Sequence, residues 1–504
     1  MSDALAYGTA RGRWVLLATI LGSSITFLDG TVVSVALPAI GRDLDASLDG
    51  LQWTVNGYTL TLAALILLGG SLGDRLGRRR IFLVGVVWFA AASLLCGLAP
   101  NLVVLVLARA LQGVGGALLT PGSLAILQAS FRHEDRARAI GAWSGLGGIA
   151  GAIGPFAGGW LVQTVGWRWV FLLNLPLAAL VVLVTVRWVP ESADPEMVHV
   201  LDVPGAVLAA VGLAGLTFGL IAWPDAGPAS ASVWGPLLVG VLGLAAFVVA
   251  ERRTPHPMLP LGVFSSRLFT ATNVVTFAVY AALSGVFFLL VVALQVAAGL
   301  SPIAAGAALL PVTICMLFLS ARGGALGQRI GPRIPMTVGP LVAAVGVLFF
   351  TRIGPDVSYV FDILPGAILL GLGLSLTVAP LTSTVLGAVA DRHAGIASGV
   401  NNAVARAAGL LAVAAVPLVA GATPAVYVDP ADFGQAASRG MLVCAALLAL
   451  GGLLSLVIVR SPAPQTGAAP PAPRCAPAPH TPLAPLAPVG PQAPRGPAGP
   501  AGGG

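Results

Sequence analysis

The 504-residue sequence contains no lysine, and all 26 of its basic residues are arginine. That absence excludes a Walker A loop, whose lysine reaches the nucleotide phosphates, and any lysine Schiff base. A pump carrying its own nucleotide site is thereby excluded on chemistry. Charge of either sign is scarce, at 9% of residues, against roughly 25% in an average soluble domain. With 57% hydrophobic residues and a mean hydropathy of +0.94, the chain lacks the polar surface to enclose a water-soluble globule. Cysteine is nearly absent as well. Cys96, Cys315 and Cys444 are isolated in apolar segments and Cys475 lies near the C-terminus, which gives neither zinc spacing nor a disulfide framework. All five histidines fall in connections or the tail, so a histidine relay inside a membrane is excluded. No metal and no cofactor is expected.

What is present is a series of fourteen apolar segments, from 14–37 to 440–459. A bilayer core needs about 20 apolar residues per spanning helix. These runs are too long, and too apolar on every face, for the alternating strands of a membrane barrel. The first follows Arg11 and Arg13 in the manner of a signal peptide, but it is too long for one and leads straight into a second span. The reading is an all-α polytopic membrane protein in contact with the lipid bilayer. Twenty arginines fall in the N-terminus, the even-numbered connections and the tail, four in the odd-numbered connections, and two, Arg109 and Arg406, within apolar segments. By the positive-inside bias both termini are cytoplasmic, in a multi-pass protein of the plasma membrane. The net charge of +7 is explained by topology and requires no nucleic-acid partner.

The chain repeats itself. Gly70-Ser-Leu-Gly-Asp-Arg-Leu-Gly-Arg-Arg-Arg80 is echoed by Gly324-Ala-Leu-Gly-Gln-Arg-Ile-Gly-Pro-Arg-Ile334 at an offset of 254. Asp135, Arg136 and Ile140 return as Asp391, Arg392 and Ile396 at an offset of 256. Two matches at nearly one offset imply two homologous halves in the same orientation. The second copy arrives two spans late, so segments 203–222 and 234–250 are expected to be an inserted hairpin. The expected domains are a cytoplasmic N-terminus (1–13), a six-helix half (14–188), the hairpin with its connections (189–267), a second six-helix half (268–459) and a disordered Pro/Ala-rich cytoplasmic tail (460–504).

With these motifs the chain resembles the major facilitator superfamily, in its fourteen-span drug:proton antiporter branch. The loop Gly70-x-Leu72-Gly73-Asp74-Arg75-x-Gly77-Arg78-Arg79 is similar to the superfamily's cytoplasmic signature. Leu28-Asp29-x-Thr31-Val32-Val33-x-Val35-Ala36-Leu37-Pro38 resembles the branch's first-helix motif, with Ser34 where asparagine is usual. Arg109-x-x-Gln112-Gly113-x-Gly115 resembles the fourth-helix motif, and Gly151-x-x-Gly154-Pro155-x-x-Gly158-Gly159 the fifth-helix antiporter motif. Trp167-Arg168-Trp169-x-Phe171-x-x-Asn174-x-Pro176 is also similar to that branch. The resemblance spans about residues 12–460 and implies the major facilitator fold with 14 transmembrane helices, export of small molecules, and the proton gradient as the driving force.

Asp29 is the only carboxylate deep inside an apolar segment, about 13 Å from Pro38 by helical rise. Arg109 lies about 10 Å below the same surface, so a direct or water-bridged contact is geometrically possible. Burial disfavours a charged carboxylate and a nearby arginine favours it. A helix movement that makes or breaks the contact would therefore switch Asp29 between holding and releasing a proton. A permanent structural ion pair is the competing reading. Arg406 lies about 14 Å from the cytoplasmic end, where it meets an anionic substrate group or bonds backbone carbonyls of a neighbouring helix. Gly151, Gly154, Pro155, Gly158 and Gly159 share one helix face and suit close packing. The resemblance places that face between the halves. It also makes Gly70, Gly73, Asp74, Arg75, Gly77, Arg78 and Arg79 a conformational latch, in what is expected to be a tight cytoplasmic turn. The second copy, with Gln328 for Asp74 and Pro332 for Arg78, keeps the turn and loses the latch.

A substrate cavity is expected between the halves near mid-membrane. Asn56, Tyr58, Gln112, Asn273, Tyr280, Phe287, Thr377, Asn402 and Arg406 are the candidates to line it. The expected function is secondary active export of amphipathic small molecules in exchange for protons by alternating access, by a chain working as a monomer and not as an enzyme. A metabolite symporter or uniporter of the same fold, or a non-transporting receptor or scaffold, is the alternative.

Overall fold

A computed structural model describes residues 5–193, 201–389 and 394–459. Residues 1–4, the Asp391–Arg392 echo and the tail 460–504 lie outside the described residues. Apart from one isolated bridge between Leu5 and Phe131, the regular structure among the described residues is helical. The first helices are α1 (Ala10–Asp43), α2 (Leu48–Leu76), α3 (Arg78–Gly97), α4 (Leu102–Ser130), α5 (His133–Thr164), α6 (Trp169–Leu172) and α7 (Asn174–Trp188). A hairpin follows, α8 (Val203–Ala226) and α9 (Ala231–Arg253). The remainder is α10 (Arg267–Val296), α11 (Pro302–Ala308), α12 (Leu310–Ile330), α13 (Arg333–Phe349), α14 (Leu364–Gly387), α15 (Ala394–Ala420), α16 (Pro424–Val428) and α17 (Pro430–Ile458). With α6–α7 and α11–α12 each counted as one, thirteen helical spans among the described residues are long and apolar enough to cross a membrane. The 32-residue α5 stands beside them as another long helix.

Local chemistry sets the ends. Thr9, Asn101 and Ser301 cap α1, α4 and α11 by accepting from backbone N–H groups of the first turn. Within the spans, prolines are tolerated, because neighbouring helices re-satisfy the freed backbone groups. That explains a difference from the expected 14–37: α1 runs through the buried Pro38 to Asp43. The loop motif also differs from a turn. Gly70 to Leu76 continue α2 and Arg78 opens α3, so the reversal is confined to Gly77 at φ 107°. Likewise α12 continues to Ile330, which puts Arg322 and Arg329 on a helix instead of in a connection, and Gly331 at φ 86° makes the reversal. Only glycine adopts such angles without strain, and Gly77 and Gly331 are 254 residues apart.

The sequence repeat is a repeat of helix crossings. A Cβ on Gly69 would overlap the Ala117 carbonyl where α2 crosses α4, and one on Gly323 would overlap the Ser375 carbonyl where α12 crosses α14. One on Gly113 would overlap the Tyr58 carbonyl, and one on Gly371 would meet the Val312 carbonyl at 2.9 Å. Tyr58 and Val312 are again 254 residues apart. The same backbone contacts are thus made twice, once among the helices before the hairpin and once among those after it.

Three glutamines tie the two sets of spans together. Gln52 Nε2 donates to Val413 O at 2.7 Å, Gln295 Nε2 donates to Val35 O at 2.9 Å, and Gln163 Oε1 accepts from Ile303 N at 3.4 Å. All three lie at the end away from Gly77 and Gly331. There a Cβ on Gly159 would overlap the Pro302 carbonyl, and one on Gly306 the Pro155 carbonyl. The hairpin is secured separately. Asp202 Oδ1 accepts from Gly205 N at 2.8 Å, Asp202 Oδ2 from Met258 N at 3.3 Å, and Glu251 Oε2 from Leu259 N at 3.0 Å.

Candidate functional site

Asp29, halfway along α1, is fully buried and accepts hydrogen bonds from three side chains. Arg109 Nη1 of α4 donates to Oδ2 at 2.6 Å; Gln112 Nε2 and Asn174 Nδ2 donate to Oδ1 at 2.8 and 3.2 Å. Arg109, 1% exposed, also donates to Gln112 Oε1 at 2.6 Å and to the Thr54 carbonyl at 3.1 Å. Its guanidinium lies 4.4 Å from the centre of the Tyr58 ring and 5.7 Å from that of Phe171. Ser93 Oγ accepts from both Gln112 and Asn174, at 2.7 and 3.2 Å. Helices α1, α2, α3, α4 and α7 therefore meet in one polar cluster sealed by aromatic rings.

An ion pair this dry stands on mutual compensation, because each charge alone would bear a desolvation cost of several kcal/mol. The carboxylate has no open face for a proton until Arg109, Gln112 or Asn174 moves. The structure also separates the pair from the demands of packing. Applying the offsets of the repeated crossings, 254 residues for α2–α3 and 258 for α4 (Gly113 to Gly371), sets Val312, Val347, Ala367 and Leu370 opposite Tyr58, Ser93, Arg109 and Gln112. All four are buried and apolar. The second half makes the same crossing with no charge in it, so the crossing does not require one. Apolar replacement of a buried pair is often neutral or stabilising by about 1–4 kcal/mol, which makes stability a poor reason for this cluster.

The remaining candidates divide. Gln112 is in the Asp29 cluster and not on a cavity wall. Asn56 is fully buried on α2, and neither amide atom has a hydrogen-bond partner among the described residues. Thr377 is buried and donates to the Gly373 carbonyl at 2.7 Å, at the close approach of α13 and α14. Asn273 Oδ1 accepts from Asn401 Nδ2 at 3.2 Å, which bridges α10 to α15. Tyr280 and Phe287 remain partly accessible on α10. Asn402 is exposed and donates to the Ser398 carbonyl at 3.0 Å, and Arg406 is partly accessible on α15. Arg406 bonds no backbone carbonyl among the described residues.

In the loop motif, Arg78 Nε donates to Asp74 at 2.8 Å, and Arg79 Nη2 donates to the Val186 carbonyl at 2.9 Å. Glu191, which sequence reasoning missed, accepts from Arg79 N at 3.1 Å and lies 3.9 Å from Arg80. A Cβ on Gly77 would press on that carboxylate at 2.7 Å. These partners all belong to the first set of spans and the connection after it. In the glycine motif, Gly154 and Gly158 face Thr31 and Val32 of α1, while Gly159 faces α11. Ser93, Asn174 and Thr54 were also missed. Asn174 carried a signal, being part of the Trp167–Pro176 motif. Asp43, at the end of α1, accepts from Trp167 Nε1 at 2.9 Å and Arg168 Nη1 at 2.6 Å.

Comparison with known proteins gives the family and the fold. Residues 19–414 match the family described as Major Facilitator Superfamily. The chain is 37% identical over 438 residues to the puromycin resistance protein pur8 of Streptomyces alboniger, covering 85% of this chain and 86% of that one. It is 36% identical over 406 residues to the tetracenomycin C resistance and export protein of Streptomyces glaucescens, covering 80% and 75%. Among solved structures, the POT family transporter PepTSo superposes with a TM-score of 0.63 at 14% identity, covering 88% of this chain and 97% of that one. The inward-open xylose transporter XylE from E. coli does so at 0.59 and 16% identity, covering 90% and 97%.

Proposed function

The chain belongs to the Major Facilitator Superfamily, and we propose that it exports amphipathic small molecules, antibiotics or related natural products, in exchange for protons. Resistance and export proteins at 36–37% identity over most of both chains support that reading. One observation carries the coupling: the Asp29–Arg109 cluster is built into one of two equivalent helix crossings, and the other does without it. Asp29 is the proton site, and Arg109 is the internal counter-charge that holds it deprotonated until the helices rearrange. A proton entering from outside displaces Arg109, and substrate entering from inside uses the opposite state. Transport by this route needs no cofactor.

The arginine bias assigns the Gly77–Gly331 end to the cytoplasm. The end closed by the three glutamines is then extracellular, and the conformation is inward-facing. In it Arg78 and Arg79 of the loop motif bond within the first half. The latch would form across the cytoplasmic side only after the halves close there. We take the domain limits to be 14–188 and 268–459 around the hairpin at 189–267, in a plasma-membrane protein that works as a monomer with both termini cytoplasmic.

The test is efflux from vesicles with an imposed pH gradient. Asp29→Asn is expected to abolish gradient-driven efflux while the protein is still made and folded. Normal efflux by that variant would sink the assignment.

A further inference from the structure

Among the described residues, Arg406 is the charged side chain furthest from either end of its helix that the proton cluster does not use. It stands 12 residues from the start of α15 and 14 from its end. It makes no ion pair and no hydrogen bond among the described residues. A cation at that depth faces the bundle interior or a water-filled cavity and takes a partner. Asp29, the only described carboxylate at comparable depth, is already saturated by Arg109, Gln112 and Asn174. The mid-membrane charge therefore sums to one surplus positive, and it resides on Arg406.

Its surroundings are the packed seam of α10 and α15 and the partly accessible face of α10 beside it. Asn401 Nδ2 donates to Thr276 Oγ1 at 2.8 Å and so fixes the register of α15 against α10. From that bridge, Tyr280 is four residues further along α10 and Arg406 five further along α15. At 1.5 Å per residue both stand about 6–8 Å deeper, at one level. A Cβ on Gly409 would press on Ser284 Oγ at 2.5 Å, eight residues beyond the bridge on both helices, so the register holds past that level. Tyr280, Ser284 and Phe287 recur on one face of α10 and are its partly accessible residues there, while the flanking positions are buried. Asn402, exposed, lies one turn from Arg406 toward the cytoplasmic end.

We propose that Arg406, with the Tyr280 phenol beside it, binds the acidic group of an amphipathic monoanion, a carboxylate or an ionised phenol, whose apolar body lies along the Phe287 side of that face. The inference rests on the exporter reading and narrows its substrate class. A planar guanidinium can hold a carboxylate through two parallel N–H···O bonds. The phenol adds a neutral donor, and the missing protein carboxylate becomes the ligand's own. A cationic amphipath would meet an uncompensated like charge.

The test uses purified full-length protein without a gradient and three ring-matched probes: pyrenebutyrate, its neutral amide, and the corresponding pyrenylalkyl-ammonium. Binding is read by fluorescence titration. The wild type is expected to prefer the carboxylate over the amide by about tenfold to hundredfold, the range for a hydrogen bond to a charged group. Arg406→Gln should collapse the preference to within about twofold, and Arg406→Lys should restore part of it. Tyr280→Phe should weaken carboxylate binding by about threefold to tenfold and leave the amide unchanged. Equal affinities in the wild type, or a preference that survives Arg406→Gln, would overturn the proposal. Should that happen while gradient-driven efflux still depends on Asp29, the anion site falls and the exporter reading stands. If wild-type vesicles show no efflux of any probe or drug, the exporter reading falls with it.

Discussion

Asp29 of α1 and Arg109 of α4 form a 2.6 Å ion pair in which one side chain is 0% and the other 1% exposed. Eighty residues separate them in sequence, and no solvent screens them. Breaking such a pair from one side costs about 3–5 kcal/mol, because the surviving charge stays buried. Arg109→Ala is therefore expected to lower the unfolding free energy of the detergent-solubilised protein by that amount. The double variant Asp29→Asn/Arg109→Ala removes both charges. It should regain most of the loss, as the apolar equivalent crossing in the second half implies, yet remain inactive in proton-coupled efflux. Additive losses in the double-mutant cycle would mean that the two side chains do not compensate each other.

Tyr58 separates two contributions of one side chain. Its ring covers the Arg109 guanidinium at 4.4 Å and stands edge-on to Phe89, whereas its hydroxyl is buried without a partner. Tyr58→Phe keeps the ring and deletes an unsatisfied polar atom, whose burial costs about 1–3 kcal/mol. It should be as stable as the wild type or more so, with efflux intact. Tyr58→Ala removes the ring and leaves a cavity, for an expected loss of about 3–5 kcal/mol. Stable Tyr58→Phe protein with impaired efflux would show that the hydroxyl finds a partner in another conformation.

Much of this architecture is legible in the sequence because a bilayer imposes simple rules. Runs of about 20 apolar residues give the helices, and the Gly70–Arg80 echo at Gly324 marks crossings that the structure repeats atom for atom at Gly69 and Gly323. The Asp29–Arg109 contact was legible as a match of depths. Its neutral partners were not. Gln112 suited a cavity wall equally well, and Ser93 is one of many small polar residues in apolar runs, so only the side-chain directions of packed helices identify them. Helix ends were blurred where polarity and helicity part company. Asp74 and Arg75 read as a turn because they are charged, but α2 simply extends past the apolar zone before Gly77 reverses it. Glu191 gave no signal at all, since its partners lie more than 100 residues upstream.

The close approach of α5 and α11 makes the conformational equilibrium accessible to a single methyl group. The Gly306 Cα sits against the Pro155 carbonyl and Gly159 against that of Pro302, at the end the arginine bias assigns to the outside. Those contacts hold only while that end is closed. A side chain on Gly306 strains the closed state alone, and overpacking of this kind costs about 1–3 kcal/mol. A difference of that size shifts two populations by about 5- to 150-fold. Gly306→Val is therefore expected to favour the outward-open state. The measurement is labelling of a cysteine introduced at Ser34, partly accessible on α1, by an impermeant maleimide added from outside. Faster labelling in Gly306→Val than in the Ser34→Cys parent, by about fivefold or more, is the expected result. An unchanged rate in folded protein would mean that this seam does not govern closure of the outer end.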